Sequence, residues 1–325
     1  MKAFITGGTG FVGSHFIDYY LSKEKDVKIF ALVRDLNNLK WLKGLDIHFL
    51  KGNLFSLPSL PQDIDYVFHL AGLTLTSNLA DYYTVNQQGT ASLFKWLHSQ
   101  KVEPKRVIYL SSFAASGPSI DCQPVKESSP PHPITPYGSS KLMGEAEALK
   151  FKDHFPLAIL RAAAVYGPRD TDFLRYFELI NRRILPTLCS QNRILSLCYV
   201  KDLARAVHLC TQKELDSGEI INIADPRPYS WEEFGRTSGE ALGKSLIKLK
   251  IPLPCLHLIA MASEMIGAAA KKPALLNRYR VKDMKERCWI ADVNKAQQKL
   301  SWNPAYSLKQ GIQETMDWYR RHNWL

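Results

Sequence analysis

Short apolar runs alternate with longer amphipathic segments through the first half of the chain. Each run has four to seven residues and is separated from the next by a turn or by a helical pattern. Runs of this length between helical segments predict strands that are joined by helices, and hence a parallel sheet with helices on both faces. The predicted strands are Lys2–Thr6, Val27–Val33, Ile47–Leu50, Tyr66–Leu70, Arg106–Leu110 and Leu157–Leu160, with helices predicted over Phe11–Leu21 and Tyr82–Gln100 and around Tyr137.

The second half of the chain has a less regular pattern. From Pro226 onward it is mostly helical and punctuated by prolines. We predict a sheet-forming domain from residues 1–168, to which 195–225 return, and a smaller, mostly helical lobe from 169–194 and 226–325. Before Pro226, this half of the chain is predicted to form a helix over Asp170–Asn192, a strand over Leu195–Val200, a helix over Lys201–Gln212 and a strand at Ile220–Ile223.

One stretch, residues 251–270, is strongly apolar but carries His257 and Glu264. A membrane span needs about 20 predominantly apolar residues, so this stretch is marginal and no integral membrane segment is predicted. The favoured interpretation is a helix in the core. Lys271 and Lys272 follow directly, which leaves weak peripheral contact with a membrane as the alternative.

Composition narrows the class of protein. With 325 residues and 46% hydrophobic content, the chain is typical of a soluble globular enzyme. Its six cysteines show neither C-x-x-C nor zinc-type spacing, so we expect no structural disulfide and no metal site. No secretory signal follows Met1, which favours a cytoplasmic location. The net charge of +11 suits a solvated basic surface or an anionic cofactor, and no nucleic-acid-binding motif accompanies it.

Glycines cluster directly after the first predicted strand. The sequence Thr6-Gly7-Gly8-Thr9-Gly10-Phe11-Val12-Gly13 leads from that strand into a helix. Glycines at such a turn let backbone amides approach a pyrophosphate, and the helix N-terminus adds partial positive charge. The loop predicts a Rossmann-type, doubly wound α/β domain whose cofactor contacts include Gly7, Gly10, Phe11, Val12 and Gly13.

The end of the second strand bears on which dinucleotide binds. An acid there would hold the ribose 2′-hydroxyl of NAD. Arg34 stands at this point and Lys40 is near, and both could pair with the 2′-phosphate of NADP. NADP is therefore the favoured cofactor, and NAD remains the alternative because Asp35 would serve as the acid if the strand ended later.

Tyr137 and Lys141 lie four residues apart on a predicted helix, so their side chains share a face. A free tyrosine has a pKa of about 10 and is a poor base at neutral pH. A neighbouring cation, together with the positive ring of a cofactor, would lower that pKa. The pair therefore predicts a general acid/base, although the same spacing also occurs on solvated helix faces.

These residues belong to a longer series of motifs, and with that series the chain resembles the extended short-chain dehydrogenase/reductases. That superfamily includes NAD-dependent sugar-nucleotide epimerases and dehydratases, dihydroflavonol reductases and 3β-hydroxysteroid dehydrogenases. The resemblance covers nearly the whole chain, and the motifs occur in the order of the superfamily. They are Thr6–Gly13, His69–Gly72, Val85–Thr90, Tyr109–Ser112, Pro136–Lys141, Leu160–Arg169 and Tyr199–Ala204.

The resemblance implies roles for the matching positions. Tyr137 would transfer the proton, and Lys141 would bind the nicotinamide ribose and lower the tyrosine pKa. Ser112, or Ser111 as the alternative, would hold the substrate oxygen. Asn86 would shape the cofactor site as an architectural helix residue. The remaining cofactor contacts implied are Asn53, Leu54, Leu70, Ala71 and Gly72, and the border between cofactor and substrate would be shaped by Tyr166 and Arg169 unless both anchor loops.

Departures from the superfamily pattern bear on the substrate. Ala31 stands where NAD-using sugar epimerases carry an aspartate, and Asn53 replaces an aspartate beside adenine. Phe113 and Ala114 stand where sugar 4,6-dehydratases have Asp-Glu. Leu195 occupies the position of an arginine that grips a diphosphate, with Arg193 close but out of register.

These departures favour an oxidoreductase that acts on a secondary alcohol or ketone of a mostly apolar small molecule, with a dihydroflavonol-, steroid- or terpenoid-like skeleton. A nucleotide-sugar 4-epimerase is the alternative, with Arg278 or Arg280 on the phosphate. A third interpretation is a non-catalytic protein that keeps the fold, which the Ser112, Tyr137 and Lys141 set disfavours. Superfamily members often dimerise through helices that flank the sheet, so a homodimer is a further expectation.

Overall fold

The computed structural model describes residues 1–61, 63–189, 192–270, 272–274 and 276–325. At its centre is a sheet of seven strands, each parallel to its neighbours. These strands are β1 (Lys2–Thr6), β2 (Lys28–Val33), β3 (His48–Lys51), β4 (Tyr66–His69), β5 (Arg106–Ser112), β6 (Leu157–Ala162) and β11 (Glu219–Ile223). The spatial order is β11-β6-β5-β4-β1-β2-β3, so the chain winds in both directions from β1. The predicted doubly wound α/β fold is confirmed.

Helices and short strands complete the described part of the chain. The other strands are β7 (Ala164–Tyr166), β8 (Ile184–Leu188), β9 (Ile194–Leu195), β10 (Leu197–Tyr199), β12 (Tyr229–Ser230), β13 (Ile247–Ile251) and β14 (Cys288–Trp289). The helices are α1 (Phe11–Lys23), α2 (Leu79–Tyr82), α3 (Gly89–Ser99), α4 (Pro136–Leu149), α5 (Leu174–Asn181), α6 (Val200–Gln212), α7 (Trp231–Ala241), α8 (Leu253–Ala269), α9 (Arg278–Lys285), α10 (Asn294–Leu300) and α11 (Leu308–Arg321).

The core lies on both faces of the central sheet. On one face, Phe16 and Tyr20 of α1 pack with Val207 of α6. On the other, Leu93 and Phe94 of α3 pack against the sheet. Every residue of β6 is buried, as expected of a strand covered on both faces. Each fully buried side chain of this size stabilises the fold by about 1.5–3 kcal/mol.

A separate aromatic core joins α5, α7 and α11, the elements that follow the first half of the chain. Tyr176, Phe177, Phe234 and Tyr319 meet there with Tyr166 of β7. The expected return of Ile220–Ile223 to the sheet is confirmed, because β11 pairs with β6. The division of the chain into a sheet domain and a lobe stays a prediction.

Two predicted helices differ from the structure. The segment predicted as Asp170–Asn192 contains only α5 and is followed by β8, which pairs in parallel with β13. Pro186 explains the error, since proline disrupts a helix interior but is tolerated in an edge strand. The helix predicted over Tyr82–Gln100 is divided into α2, a π-helical stretch at Tyr83–Gln88, and α3.

The prediction of a core helix at residues 251–270 is wrong. The helix α8 forms, but its buried residues are only Leu256, Ala260 and Gly267. Its outer face is apolar and exposed. In the described part of the chain, no helix combines the length and the hydropathy that a membrane crossing would need. The exposed residues of that face are Leu258, Ile259, Met261, Met265 and Ile266.

The expectation of no structural disulfide is also wrong. Cys122 and Cys288 are bonded, with their Cα atoms 5.1 Å apart across a sequence separation of 166 residues. Spacing rules test cysteines that are close in sequence, so they miss a pair that only the tertiary fold brings together. Disulfides persist mainly in oxidising compartments, and the cytoplasmic location stays a prediction.

Candidate active site

The glycine loop lies at the carboxyl end of β1, against the segment that follows β4. Gly7 has a φ of +77°, and a Cβ added to it would lie 2.5 Å from the Ala71 nitrogen. A Cβ on Gly13 would lie 2.2 Å from the Gly7 carbonyl oxygen. Only glycine fits these positions, and α1 begins at Phe11 with its N-terminal amides at the loop. This is the geometry that a pyrophosphate requires.

A buried histidine supports the floor beneath the loop. His69 of β4 is enclosed, with Nδ1 2.8 Å from Thr6 Oγ1 and Nε2 2.9 Å from Thr90 Oγ1. Its ring stacks on Tyr109 at 5.0 Å. Burial, with a smaller contribution from Lys141, lowers the pKa of His69 to about 3, so the ring is neutral. Its role is to join β4 to its neighbours, which sequence reasoning did not identify.

The end of β2 presents Arg34 to solvent. The strand ends at Val33, so Arg34 is the first residue after it, and Lys40 is exposed nearby in the chain. The carboxylate of Asp35 accepts a hydrogen bond from the Asn37 backbone at 2.9 Å and so closes a local turn. Ala31 is buried inside the strand.

Two predicted cofactor positions, Asn53 and Asn86, have structural partners. Asn53 Oδ1 accepts from the backbone nitrogens of Phe55 and Ser56, at 2.8 and 3.0 Å, which forms a tight turn. Leu54 beside it is buried. Asn86 lies in the π-helical stretch, and its amide accounts for three hydrogen bonds.

Those bonds tie the segment after β4 to α4. Asn86 Oδ1 accepts from the Leu73 nitrogen at 2.8 Å, and Nδ2 donates to the Leu73 carbonyl at 3.0 Å and to Ser140 Oγ at 2.9 Å. A Cβ on Gly72 would lie 3.5 Å from Asn86 Oδ1 and 3.7 Å from Lys141 Nζ. Leu70, Ala71 and Gly72 are thereby held between the glycine loop and the start of α4.

The N-terminus of α4 is fixed by its cap and by glycines. Thr135 accepts a hydrogen bond from the Gly138 nitrogen at 3.1 Å, and Pro136 occupies the first turn. A Cβ on Gly138 would lie 2.4 Å from the Ala114 carbonyl oxygen, and one on Gly144 2.4 Å from that of Asn86. The helix therefore lies directly against the segment after β5.

This close packing determines the environment of Lys141. The side chain is 3% exposed, and Nζ donates to the Leu110 carbonyl at 2.8 Å. The ammonium also lies 4.4 Å from the centre of the Tyr109 ring. Burial lowers the pKa of Lys141 to about 7, against an opposing effect of Glu145. Lys141 is therefore close to half protonated at neutral pH.

Tyr137 is partly buried one helical turn before Lys141, and the Tyr82 ring lies 6.0 Å away. Burial is the main cause that raises its pKa to about 12, while a hydrogen bond with Ser112 acts in the opposite direction and Asp172 adds to the rise. The sequence pattern led us to expect a lowered pKa. The residues of the chain instead keep the phenol protonated at neutral pH, because burial disfavours the phenolate.

The two candidate serines at the end of β5 differ in their partners. Ser111 is buried and donates to Glu145 Oε1 at 2.5 Å. That carboxylate also accepts hydrogen bonds from Nε and Nη2 of Arg161, at 2.9 and 2.7 Å. Ser112 is only partly buried, accepts from the Ala114 nitrogen at 3.2 Å and lies close enough to Tyr137 to lower the pKa of its phenol. Ser111 thus belongs to a buried ion-pair network, and Ser112 faces the site.

A pair of charged residues from the second half of the chain, Asp172 and Arg280, lies near Tyr137. Asp172 is close enough to influence the Tyr137 pKa, and Arg280 of α9 pairs with it at 3.4 Å. Arg278 points elsewhere, to Glu264 of α8 at 2.9 Å. Nothing in the sequence pattern had placed Asp172 at the site.

The residues considered for a diphosphate, and those considered for the border between cofactor and substrate, all have structural partners. Arg193 is buried and donates to the carboxylate and carbonyl of Asp283, both at 3.2 Å. Leu195 is buried in β9. Arg169 binds Asp18 at 2.9 Å and lies over the Trp41 ring, and it anchors its loop. Tyr166 is fully buried in the aromatic core, so both residues of this motif anchor loops.

Comparison with known proteins adds to this geometry. A model of the NAD dependent epimerase/dehydratase family matches residues 3–224. A ceramide reductase of Caulobacter vibrioides is 26% identical over 328 residues, which cover 99% of this chain and 95% of that protein. A dTDP-D-glucose 4,6-dehydratase of Homo sapiens is 29% identical over 360 residues, which cover 99% and 91%.

Solved structures share the fold. The UDP-glucuronic acid 4-epimerase of Bacillus cereus in complex with NAD superposes with a TM-score of 0.79 at 23% identity, over 99% of both chains. The UDP-glucose 4-epimerase of Thermotoga maritima with UDP-glucose gives a TM-score of 0.77 at 23% identity, over 99% of this chain and all of that one.

Proposed function

The chain belongs to the NAD dependent epimerase/dehydratase family, and we propose that it is an NAD(P)-dependent enzyme that transfers hydride between nicotinamide and a secondary alcohol or ketone of a mostly apolar substrate. The observation that carries the proposal is that Ser112 lies close enough to Tyr137 to lower its pKa, one helical turn from the buried Lys141. Ser112 and Tyr137 would act at the reacting oxygen, and Lys141 would act beside them.

The proposed cofactor position is supported by the space around the glycine loop. Added Cβ atoms at Gly7 and Gly13 would collide with backbone, so only glycine allows the tight turn that leaves the N-terminal amides of α1 at the loop, where an anion would bind. When bound, the nicotinamide gives or accepts the hydride. We propose contacts with the cofactor from Gly7, Gly10, Phe11, Val12, Gly13, Asn53, Leu54, Leu70, Ala71, Gly72, Tyr137 and Lys141, with Asn86 positioning this segment.

NADP is the proposed form of the cofactor. Arg34 stands directly after β2, where a 2′-phosphate would lie, and the Asp35 carboxylate is occupied by its local turn. A guanidinium binds phosphate through two parallel hydrogen bonds, which an NAD ribose does not provide. Lys40 would add a second cation.

The pKa values favour the direction of ketone reduction. With a pKa of about 12, the phenol of Tyr137 is protonated at neutral pH and is able to donate a proton to the substrate oxygen. Ser112 would share the charge that develops on that oxygen. With a pKa of about 7, Lys141 exchanges protons readily at neutral pH and is suited to restore the proton of the phenol.

An apolar substrate is supported by the residues around the site. Phe113, the neighbour of Ser112, is buried in the core against Trp289, so this position supplies no acid for the dehydration of a sugar. Leu195 stands where a diphosphate-binding arginine would be, and Arg193 is committed to Asp283. A relative named ceramide reductase agrees with the reduction of an apolar compound.

A nucleotide-sugar 4-epimerase is the second candidate. It is favoured by Arg280, which is 35% exposed in its side chain and pairs with Asp172 beside Tyr137. A sugar diphosphate would have to replace Asp172 as the partner of Arg280. Isomerisation of a UDP-sugar with no net change of the cofactor would select this candidate and reject the first.

The test measures oxidation of NADPH with a panel of apolar ketones. Tyr137→Phe is expected to lower kcat by about 10²–10⁴-fold, the usual contribution of a proton donor, with the Kd of the cofactor unchanged. Tyr82→Phe is the matched control, since it removes a neighbouring hydroxyl that donates to the Thr74 carbonyl. Near-normal turnover by Tyr137→Phe, or no turnover of any ketone by the wild type, would contradict the proposal.

A further inference from the structure

The outer side of α8 is an apolar surface without cover in the described part of the chain. We call it the α8 face; its residues Leu258, Ile259, Met261, Met265 and Ile266 are 65%, 50%, 57%, 72% and 69% exposed. The opposite side of the helix packs only through a narrow stripe. Contiguous exposed apolar residues on this scale usually mark an interaction site.

That narrow stripe attaches α8 to α9. Leu256 and Ala260 of α8 pack with Val281 of α9 in a small cluster of their own. Glu264, the acidic residue of α8, is bound by Arg278 at the start of α9 at 2.9 Å. The helix is therefore held firmly from beneath, while five large apolar side chains point outward.

The surroundings of the α8 face are strongly basic. Residues 244–285 contain nine Lys or Arg and two Asp or Glu, within a chain of net charge +11. Five lysines are exposed there, two on β13 before α8, one after α8 and two on α9, while Lys271 lies outside the described residues. The two acids have cationic partners, Glu264 in Arg278 and Asp283 in Arg193, and Lys248 pairs with Glu232 at 2.6 Å. The exposed lysines are Lys248, Lys250, Lys272, Lys282 and Lys285.

From this combination we propose that the α8 face docks on an anionic lipid bilayer. An apolar helix face that is rimmed by Lys and Arg lies in the plane of the lipid headgroups, with its apolar side chains below them and its cations at the phosphates. A second copy of the chain fits less well. A two-fold interface would place the same basic rims beside each other, where they repel.

Docking in this way would place the active site at the lipid surface. Arg280, the third residue of α9, pairs with Asp172 beside Tyr137, whereas Arg278 of the same helix binds Glu264 of α8. The short helix α9 therefore lies between α8 and the site. An apolar substrate could then pass from the bilayer to the site. This consequence rests on the proposed function, whereas the docking does not.

The experiment is flotation of the full chain with vesicles of phosphatidylcholine alone or mixed with phosphatidylglycerol. The wild type is expected to float with the mixed vesicles, and less so with added salt. Met265→Glu combined with Ile266→Glu is expected to lower the bound fraction by about tenfold or more. Lys250→Glu combined with Lys272→Glu is expected to lower binding to the anionic vesicles by about fivefold or more for each cation.

Met143→Glu is the matched control, because Met143 is an exposed methionine, 44% accessible, on α4 rather than on α8. Thermal unfolding and NADPH binding check that each variant is folded. A wild type that floats with neither vesicle overturns the proposal, as does normal flotation of the Met265/Ile266 variant. Dimerisation without lipid that this variant abolishes would assign the face to a second copy. Because flotation does not measure turnover, failure of the proposed reaction leaves this result standing.

Discussion

Replacement of Lys141 by methionine is expected to stabilise the free protein near neutral pH while it removes turnover. The pKa of Lys141 falls from 10.5 to about 7 because its ammonium is buried. Since one pKa unit corresponds to about 1.4 kcal/mol, the lysine destabilises the fold by about 4–5 kcal/mol at neutral pH. Methionine has a similar length and no charge, so it avoids this penalty.

Part of that gain is offset by contacts that methionine cannot make. The variant loses the 2.8 Å hydrogen bond to the Leu110 carbonyl and the position over the Tyr109 ring. A hydrogen bond from a charged group contributes about 1.5–3 kcal/mol. The variant Lys141→Met should therefore be more stable than the wild type by about 2 kcal/mol at pH 7, from the difference of these two effects.

The difference should change with pH in a defined direction. Below about pH 7 the lysine is protonated in both the folded and the unfolded chain, so its penalty is complete. Between that pH and 10.5 the unfolded chain binds more protons, and the free energy of unfolding of the wild type rises by about 1.4 kcal/mol per pH unit. Lys141→Met lacks this dependence, so the two stabilities should be equal at about pH 9.

Urea unfolding of both proteins without cofactor, followed by circular dichroism across this pH range, measures the effect. Lys150→Met is the control, because Lys150 is exposed and pairs with Glu147 on the surface of the same helix region. Its stability should differ from the wild type by less than about 1 kcal/mol, independent of pH. If Lys141→Met were less stable at pH 7 by an amount that does not vary with pH, the lysine would be a structural cation and the reasoning would be refuted.

The remaining predictions concern the cofactor, a buried ion pair and the disulfide. Arg34→Ala should raise the Kd of NADPH by about tenfold or more and leave that of NADH unchanged, as fluorescence titration would measure, and equal effects on both would exclude a 2′-phosphate contact. Glu145→Gln removes the charge that Arg161 binds, so the free energy of unfolding measured with urea should fall by about 3–5 kcal/mol. An unchanged free energy of unfolding would mean that the ion pair does not stabilise the fold. Cys122→Ser opens the bond to Cys288 and should lower stability by about 2–5 kcal/mol, with reductant acting only on the wild type.

The strands of the sheet were predictable because all except the edge strand β3 are largely buried. β6 is apolar except at Arg161, and the predicted bounds of β1 to β6 differ from the observed ones by at most two residues. The helix predicted over Asp170–Asn192 failed where the burial is one-sided. There α5 and β8 both mix apolar and polar residues over short lengths, and Pro186 together with the pairing of β8 with β13 decides the structure.

Tyr137 and Lys141 could be selected as candidates from the sequence, but their pKa values could not be predicted from it. Tyr137 and Lys141 follow from a local motif, because helical spacing alone places them on one face. The direction of the Tyr137 pKa depends on burial and on Asp172, which is remote in sequence. The choice between Ser111 and Ser112 depends in the same way on Glu145, which binds only one of them.

The helix α8 shows which sequence signal decides between a core helix and a surface helix. Its apolar content alone is compatible with both, because burial in protein and contact with lipid favour the same side chains. The charges that flank the helix distinguish the two cases. Lys248, Lys250 and Lys272 border α8, and beside a helix in the core such cations would have to be solvated or paired. The excess of basic over acidic residues in 244–285 is a property of the amino-acid sequence itself. Together with the apolar run, that excess of basic residues favours a helix that contacts an anionic surface.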